Sequence, residues 1–158
     1  MKSEIEKCLA GEIFNTSDPE IQKIIWKSRK LSLKYNTIAP DKSEKKKNVL
    51  KKWLNSVGEN VNIDIPFYCD YGKHIRIGNN VIINMNCTFV DCNTITIGNN
   101  VLIASNVQIY TATHDTDVEN RLNPNWKNEG LPYFRTFALP VKIHDNVWIG
   151  GGGYFGVT

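Results

Sequence analysis

Large apolar residues recur at every sixth position over much of this chain. Eleven positions keep this register: Val57, Ile63, Ile77, Ile83, Phe89, Ile97, Ile103, Ile109, Ile143, Ile149 and Phe155. A period of six is typical of a parallel β-helix, in which each repeat is a short strand followed by a turn. Equivalent positions lie 20 residues apart at 57, 77 and 97, which is three repeats with two extra residues. The pattern therefore predicts a mainly β chain coiled with three strands to a turn.

Similar polar sequences separate the apolar positions. IGNNV occurs at 77–81 and again at 97–101, VGEN occurs at 57–60, and HDNVWIG occurs at 144–150. Glycine and asparagine tolerate the backbone conformations that sharp turns require. These sequences predict the corners of the coil.

The first part of the chain has a helical pattern instead. SDPE at 17–20 is a helix start signal, with a capping side chain, a proline at the first helical position and an acid in the first turn. A second, highly charged helix is expected from about residue 41 to 54. We predict an N-terminal helical segment, residues 1–55, that packs on a β-helix, residues 56–158.

The six-residue rhythm stops in the second half of the chain, and we predict a long loop there at about 111–140. Long loops in compact repeat proteins are usually functional. Its aromatic residues are expected to cover a neighbouring subunit, with stacking on a sugar as the alternative; they include Trp126, Phe134 and Phe137. The sequence ends at Thr158 partway through a coil, which predicts that later coils are missing.

Charge and composition exclude some classes of function. Lys and Arg number 19 against 16 Asp and Glu, and this surplus is too small to indicate a nucleic-acid partner. We interpret the lysines clustered at 42–52 as a solvated helix face, with a nucleic-acid or membrane patch as the less favoured alternative. The sequence contains no long apolar run, and we expect no signal peptide. We expect a cytoplasmic protein without a membrane partner.

Cysteine and histidine spacing argues against disulfides and metal binding. The four cysteines include no CxxC pair, so free thiols are expected, with Cys87 packed in the core. The three histidines are far apart and lack the paired spacing of a metal site. His74 is expected in a surface turn and His144 in a structural turn.

Several longer motifs resemble one family. AGEIF at 10–14, DPE at 18–20, PFYCDYG at 66–72, YTATHD at 110–115 and PVKIHDNVWIGGG at 140–152 are similar to the maltose/galactoside O-acetyltransferase branch of the hexapeptide-repeat acyltransferases. The resemblance covers essentially the whole chain. It implies a left-handed parallel β-helix and a homotrimer with active sites between subunits. It also implies acetyl-CoA as co-substrate and no tightly bound cofactor.

The resemblance implies roles for individual residues. His114 matches the general base that removes the proton of the acceptor hydroxyl, and imidazole suits this role because it titrates near neutral pH. Asn84 matches an asparagine that holds the acceptor, with a rung of an asparagine ladder as the alternative. Asp70 matches a polar acceptor-site residue, with a turn residue as the alternative.

Other positions match less directly. Thr16 lies where the family has a sugar-contacting aspartate, and Asn15 and Asp18 are near substitutes. Asp18 is also a candidate helix cap. Trp148 and Gly151 fall where the pantetheine arm of CoA passes in the family. The sequence thus predicts an acetyl-CoA-dependent O-acetyltransferase acting on a hydroxyl of a sugar such as maltose, glucose or a galactoside. The alternative is a catalytically dead, truncated trimer with a structural or binding role.

Overall fold

The protein is a left-handed parallel β-helix with helices packed at its first coil. The structure, a computed structural model, describes residues 2–156. The first sheet contains β1 (Ser56–Val57), β4 (Ile75–Ile77), β7 (Ile95–Ile97) and β12 (Val141–Ile143). The second contains β2 (Val61–Ile63), β5 (Val81–Ile83), β8 (Leu102–Ile103) and β13 (Trp148–Ile149). The third contains β3 (Phe67–Cys69), β6 (Cys87–Val90), β9 (Gln108–Tyr110) and β14 (Tyr154–Gly156).

Strand register confirms the coil that the six-residue pattern predicts. Ile77 lies opposite Ile97 in neighbouring parallel strands, and equivalent turn residues beside them are 20 residues apart. In the next coil Ile97 lies opposite Ile143, and a hydrogen bond beside that pair joins residues 46 apart. The additional residues belong to one insertion at the corner that follows the third sheet.

This insertion, residues 111–140, contains more regular structure than the loop predicted there. Two short strands, β10 (Ala112–Thr113) and β11 (Phe137–Ala138), pair in antiparallel fashion at its base. Two short helices, α4 (Val118–Arg121) and α5 (Trp126–Glu129), lie between them. Helix α4 begins because the side chain of Asp117 accepts a hydrogen bond from the backbone N–H of Glu119.

Side chains at the six-residue positions fill the inside of the coil. All of them are buried except Val57, which is half-buried, and Phe155, which is 42% exposed. Phe155 lies in β14, which pairs with a strand on one side only in the described structure. Fully buried isoleucines stacked coil on coil hold the three sheets together through the hydrophobic effect; they include Ile63, Ile83, Ile103, Ile77, Ile97 and Ile109.

The corners depend on asparagines in the left-handed backbone region. One ladder has φ values between 54° and 61°, and each rung donates from its side-chain amide to the side-chain oxygen of the next at 3.0–3.1 Å; its rungs are Asn60, Asn80, Asn100 and Asn146. Asparagine tolerates this conformation better than most residues because its short polar side chain can bond locally. The repeated asparagines therefore define the corners and link successive coils.

Three helices precede the coil. They are α1 (Glu4–Leu9), α2 (Pro19–Asn36) and α3 (Ser43–Trp53). Trp53 donates from its indole N–H to Ser28 at 2.8 Å, and Tyr35 donates to the carbonyl of Ile63 at 2.6 Å. Gly72 has φ +70°, and a Cβ there would lie 2.5 Å from the Trp53 ring, so only glycine fits beside that indole. None of the helices within residues 2–156 is long and apolar enough to cross a bilayer.

The turn after β3 is buried, contrary to the expectation for His74. His74 is 7% exposed, and its Nδ1 lies 3.0 Å and 2.8 Å from the carbonyl oxygens of Asp91 and Cys92. Helices α1 and α2 cover this corner through a second apolar cluster that includes Cys8 and Tyr71. A surface position for His74 is therefore wrong. All four cysteines are buried and unpaired.

Candidate active site

His114 lies where the insertion leaves the coil, directly after β10. Pairing of β10 with β11 brings Arg135 beside it, and the Nδ1 atom of His114 is 2.8 Å from the carbonyl oxygen of Arg135. A carbonyl oxygen can only accept a hydrogen bond, so Nδ1 carries the proton in the neutral ring. The lone pair of the exposed imidazole is then on Nε2, which is the atom a general base would use.

Two adjoining hollows lie beside the residues that flank or contact His114, although His114 itself lines neither of them. The first has a volume of about 160 Å³ and the second about 200 Å³, and both are lined by Ile13 and Arg135. Phe134 lines the first, and its ring centroid is 5.9 Å from that of His114. The polar side chains Asp115 and Asn120 line the second. An aromatic ring beside convergent polar groups is the composition expected of a small-molecule site.

Asp70 lies on the same edge of the coil as His114, two coils earlier. Its carboxylate accepts a hydrogen bond from the guanidinium of Arg29 at 3.0 Å. Burial raises the pKa of Asp70, and the positive charge of Arg29 opposes that rise. Since Arg29 is 66% exposed in its side chain, we attribute little stability to the ion pair itself.

Asn84 lies on a different edge, at the corner between the second and third sheets. Its side-chain amide donates to the carbonyl oxygen of Ile103 at 3.1 Å, and its backbone N–H donates to the same oxygen at 2.9 Å. Asn84 is therefore not a rung of the side-chain ladder described above. Its side-chain oxygen has no hydrogen-bond partner among the described residues and is available to a hydroxyl donor.

Trp148 and Gly151 are close to the edge that carries Asn84. Trp148 is 75% exposed on the outer face of β13, opposite Leu102 in the neighbouring strand. Gly151 follows at the corner, where a Cβ would lie 3.4 Å from the carbonyl oxygen of Ser105. The exposed indole ring and the neighbouring glycine, which has no side chain, form a surface against which an extended ligand can lie in close contact.

Asp18 begins α2. Its side chain accepts hydrogen bonds from the backbone N–H groups of Glu20 and Ile21 at 2.9 Å and 3.3 Å. These contacts are those of a helix cap. Asp18 is not a lining residue of either hollow beside His114.

Replacing Asp18 with alanine is expected to lower the free energy of unfolding by about 1 kcal/mol because the cap is lost. Asp18→Ser keeps a capping oxygen and should recover most of that stability. Urea unfolding of both variants measures this. We expect both variants to keep the wild-type KM for a sugar acceptor. A raised KM in the stable serine variant would instead assign Asp18 to the acceptor site.

The six predicted site residues thus fall into separate groups in one chain. His114 and Asp70 lie on one edge of the coil. The other edge carries Asn84, Trp148 and Gly151. Asp18 lies on neither edge and caps the start of α2. Within residues 2–156 no group of His, Cys, Asp and Glu could hold a metal ion.

Sequence reasoning did not predict that Ile13 and Arg135 line the first hollow, whereas Asn15, which also lines it, was a near substitute for the family's sugar-contacting aspartate. Ile13 and Asn15 are far from Arg135 in sequence and meet it because Phe14, between them, forms an antiparallel bridge with Thr136. The sequence signal for this contact was the adjacent apolar pair Ile13-Phe14 shortly before α2, which indicates that this segment packs against another part of the protein.

The fold is that of a hexapeptide-repeat acetyltransferase, and comparison with known proteins supports this class. A family profile described as the maltose acetyltransferase hexapeptide capping motif matches residues 7–58. Nodulation protein L of Rhizobium leguminosarum bv. viciae is 42% identical over 159 residues, covering 99% of this chain and 78% of the relative.

Solved structures support the same class of protein. A maltose O-acetyltransferase from Clostridium difficile 630 superposes with a TM-score of 0.88 at 38% identity, covering 98% of this chain and 78% of the other. A galactoside acetyltransferase in complex with coenzyme A gives a TM-score of 0.87 at 32% identity, covering 99% and 73%. The chain belongs to the maltose/galactoside O-acetyltransferase family. Structures of such relatives have been solved with coenzyme A and with acetyl-CoA bound.

Proposed function

We propose that the protein transfers the acetyl group of acetyl-CoA to a hydroxyl of a sugar such as maltose, glucose or a galactoside, with His114 as general base. The observation that carries the proposal is the hydrogen bond from Nδ1 of His114 to the carbonyl oxygen of Arg135. This bond supports a neutral tautomer with its lone pair on Nε2, and the two hollows near it combine aromatic and polar side chains as small-molecule sites do.

The reaction requires one base and no covalent enzyme intermediate. Nε2 of His114 takes the proton of the acceptor hydroxyl as its oxygen forms a bond to the carbonyl carbon of the thioester. The tetrahedral intermediate then collapses, the carbon–sulfur bond breaks, and the electron pair leaves on the CoA sulfur. The proton held on Nε2 passes to that sulfur, so His114 is neutral again for the next cycle.

Asn84, Trp148 and Gly151 lie on another edge of the coil than His114, so we propose that the complete site forms between subunits of a homotrimer. In a cyclic oligomer one edge of each chain meets a different edge of its neighbour. This arrangement would place Asn84 of one copy opposite His114 of the next. The free side-chain oxygen of Asn84 would accept a hydrogen bond from the acceptor and hold its hydroxyl near Nε2.

The donor would lie along the edge that carries Asn84. The exposed Trp148 ring offers apolar contact to the pantetheine arm, and Gly151 allows that arm to approach the backbone. Asp70, paired with Arg29, would contact the acceptor from the edge that carries His114. Both assignments follow the family resemblance and the exposure of these positions.

The direct test is CoA release from acetyl-CoA, followed with a thiol reagent, in the presence of glucose, maltose or an alkyl galactoside. We expect release above the no-acceptor control with at least one sugar, together with an acetyl ester in the product detected by mass spectrometry. Calorimetry with acetyl-CoA alone is the companion measurement. Tight binding of acetyl-CoA without CoA release in the presence of any of the three sugars would contradict the proposed acceptor class. Absence of acetyl-CoA binding would contradict the proposal that the protein is an acetyl-CoA-dependent enzyme.

A further inference from the structure

The outer face of α2 combines exposed apolar side chains with a row of lysines. Trp26 and Leu33 are 64% and 69% exposed, and they lie seven residues apart, so they share one side of the helix. Exposed lysines occupy the adjoining strip of the same face at helical spacing; they are Lys23, Lys27, Lys30 and Lys34. Together they give the outer face of α2 an apolar strip bordered by cations, opposite the face that packs on the protein.

Positive charge is concentrated in this part of the molecule. The segment that spans α2 and α3, residues 19–53, holds eleven of the 19 basic residues and only three of the 16 acidic ones. None of the four lysines on the α2 face belongs to an ion pair within residues 2–156. Arg29, by contrast, turns toward the coil and pairs with Asp70. The net charge of +3 therefore conceals a strongly basic helical layer.

A groove between α2 and α3 extends the same surface. It has a volume of about 400 Å³, an apolar floor and a rim of lysines. The floor consists of Leu31, Ile38 and Val49, and the rim consists of Lys34, Lys45, Lys52 and the amide of Asn48. Lys34 belongs both to the rim and to the α2 face, so the two features form one continuous cationic and apolar surface.

We propose that this surface, defined by the outer face of α2 and the α2–α3 groove, docks on an anionic phospholipid bilayer. A helix with Trp and Leu among lysines is suited to the membrane interface, where the apolar side chains enter the headgroup region and the ammonium groups meet lipid phosphates. The expectation of no membrane partner rested on the lack of a long apolar run, which does not bear on peripheral docking, and a membrane patch was the less favoured alternative for the lysines at 42–52.

The identity of the cations favours lipid over nucleic acid. Ten of the eleven basic residues in this segment are lysines. Lysine acts as a flexible point charge, whereas arginine is the usual residue for bidentate recognition of nucleic acids. Leu33 beside Trp26 adds apolar area without a polar group that could contact a base. The lysines and the aliphatic Leu33 favour a lipid contact, and stacking of a base on the exposed Trp26 ring is the competing outcome that the test below includes.

Vesicle sedimentation tests the proposal with the 158-residue chain. The probes are vesicles of 70% phosphatidylcholine with 30% phosphatidylglycerol and vesicles of phosphatidylcholine alone, at low and high salt. We expect binding to the anionic vesicles that weakens with salt. Lys27→Gln/Lys30→Gln should weaken it roughly 25-fold, since each lysine near an anionic surface contributes about fivefold in affinity. Trp26→Ser/Leu33→Ser should weaken it about tenfold.

The control variant is Lys127→Gln/Lys142→Gln, which removes the same charge from the insertion and from the first sheet. It should bind like the wild type. Three results would overturn the proposal: equal binding to neutral vesicles, an equal loss in the control, or tighter binding to a single-stranded RNA oligonucleotide than to anionic vesicles. A change of oligomeric state in either α2 variant, measured by light scattering, would instead make this face a contact between copies and would also overturn it.

Discussion

His114→Ala will lower kcat for sugar-dependent CoA release by about 10²–10⁴-fold, the range typical of a lost general base. Alanine removes Nε2, so the acceptor hydroxyl must attack while still holding its proton. The KM for acetyl-CoA should change little, because the proposed donor surface lies on the other edge of the coil. Steady-state kinetics with the best acceptor among glucose, maltose and an alkyl galactoside measure both parameters.

His144→Ala is the matched control for this variant. His144 is an exposed histidine at a corner of the first sheet, away from the hollows beside His114. Its loss should leave kcat within about twofold of the wild type, as expected for a surface substitution. If the His114→Ala enzyme keeps more than a tenth of the wild-type kcat, the imidazole of His114 is not the general base of the reaction.

Mixing two inactive variants tests whether the site spans two subunits. His114→Ala and Asn84→Ala trimers, unfolded together and refolded, would form hybrids in which some sites have both residues intact. For random assembly about one quarter of the interfaces pair an intact His114 with an intact Asn84. We therefore expect the refolded mixture to recover up to about one quarter of the wild-type activity. A mixture no more active than its two components would mean that each chain supplies both residues to its own site.

The coil was predictable from sequence because its energetics are local and repeated. An inward-facing isoleucine recurs every six residues and is fully buried at Ile83, Ile103 and Ile109. The corner sequences contain asparagine where the backbone has positive φ, as at Asn80 and Asn100. The apolar pattern and the turn residues therefore indicate the same structure at each coil. This agreement is what allows the fold to be predicted from the sequence.

The site was less predictable because it depends on contacts between distant segments. Nothing in the local sequence of His74 indicates burial, which results from the N-terminal helices covering its turn. The partner of His114 is a backbone carbonyl of Arg135, and any residue could supply it. Motif matching could therefore find the imidazole but could not find what orients it.

A buried carboxyl group beneath the turn that carries Asp70 should make stability depend on pH. Asp91 is fully buried, and its oxygens accept hydrogen bonds from the backbone N–H groups of Tyr71 at 2.8 Å and His74 at 3.3 Å. Burial raises the pKa of Asp91 to about 7, against the opposing effect of these N–H donors. The folded protein therefore retains a proton at pH 5–6 that the unfolded chain has released.

Because the folded state holds the extra proton, this group stabilises the fold at low pH, and its contribution is lost as pH rises toward 7. We expect the share of the unfolding free energy due to Asp91 to fall by about 3 kcal/mol between pH 5 and pH 8. Asp91→Asn keeps an acceptor for the Tyr71 N–H but cannot ionise, so its stability should change less over this range. Urea unfolding at intervals from pH 5 to pH 8 measures the difference between the two proteins.

Glu119→Gln removes one exposed carboxylate from the insertion and should follow the wild-type pH profile. The sign of the difference between wild type and Asp91→Asn distinguishes two physical situations. If burial dominates, the asparagine variant gains relative stability as pH rises. If the backbone N–H donors dominate, the carboxylate is ionised throughout, and the variant is less stable than the wild type by a constant amount at every pH. The second result would make Asp91 a charged anchor for the turn after β3 and would contradict the raised pKa.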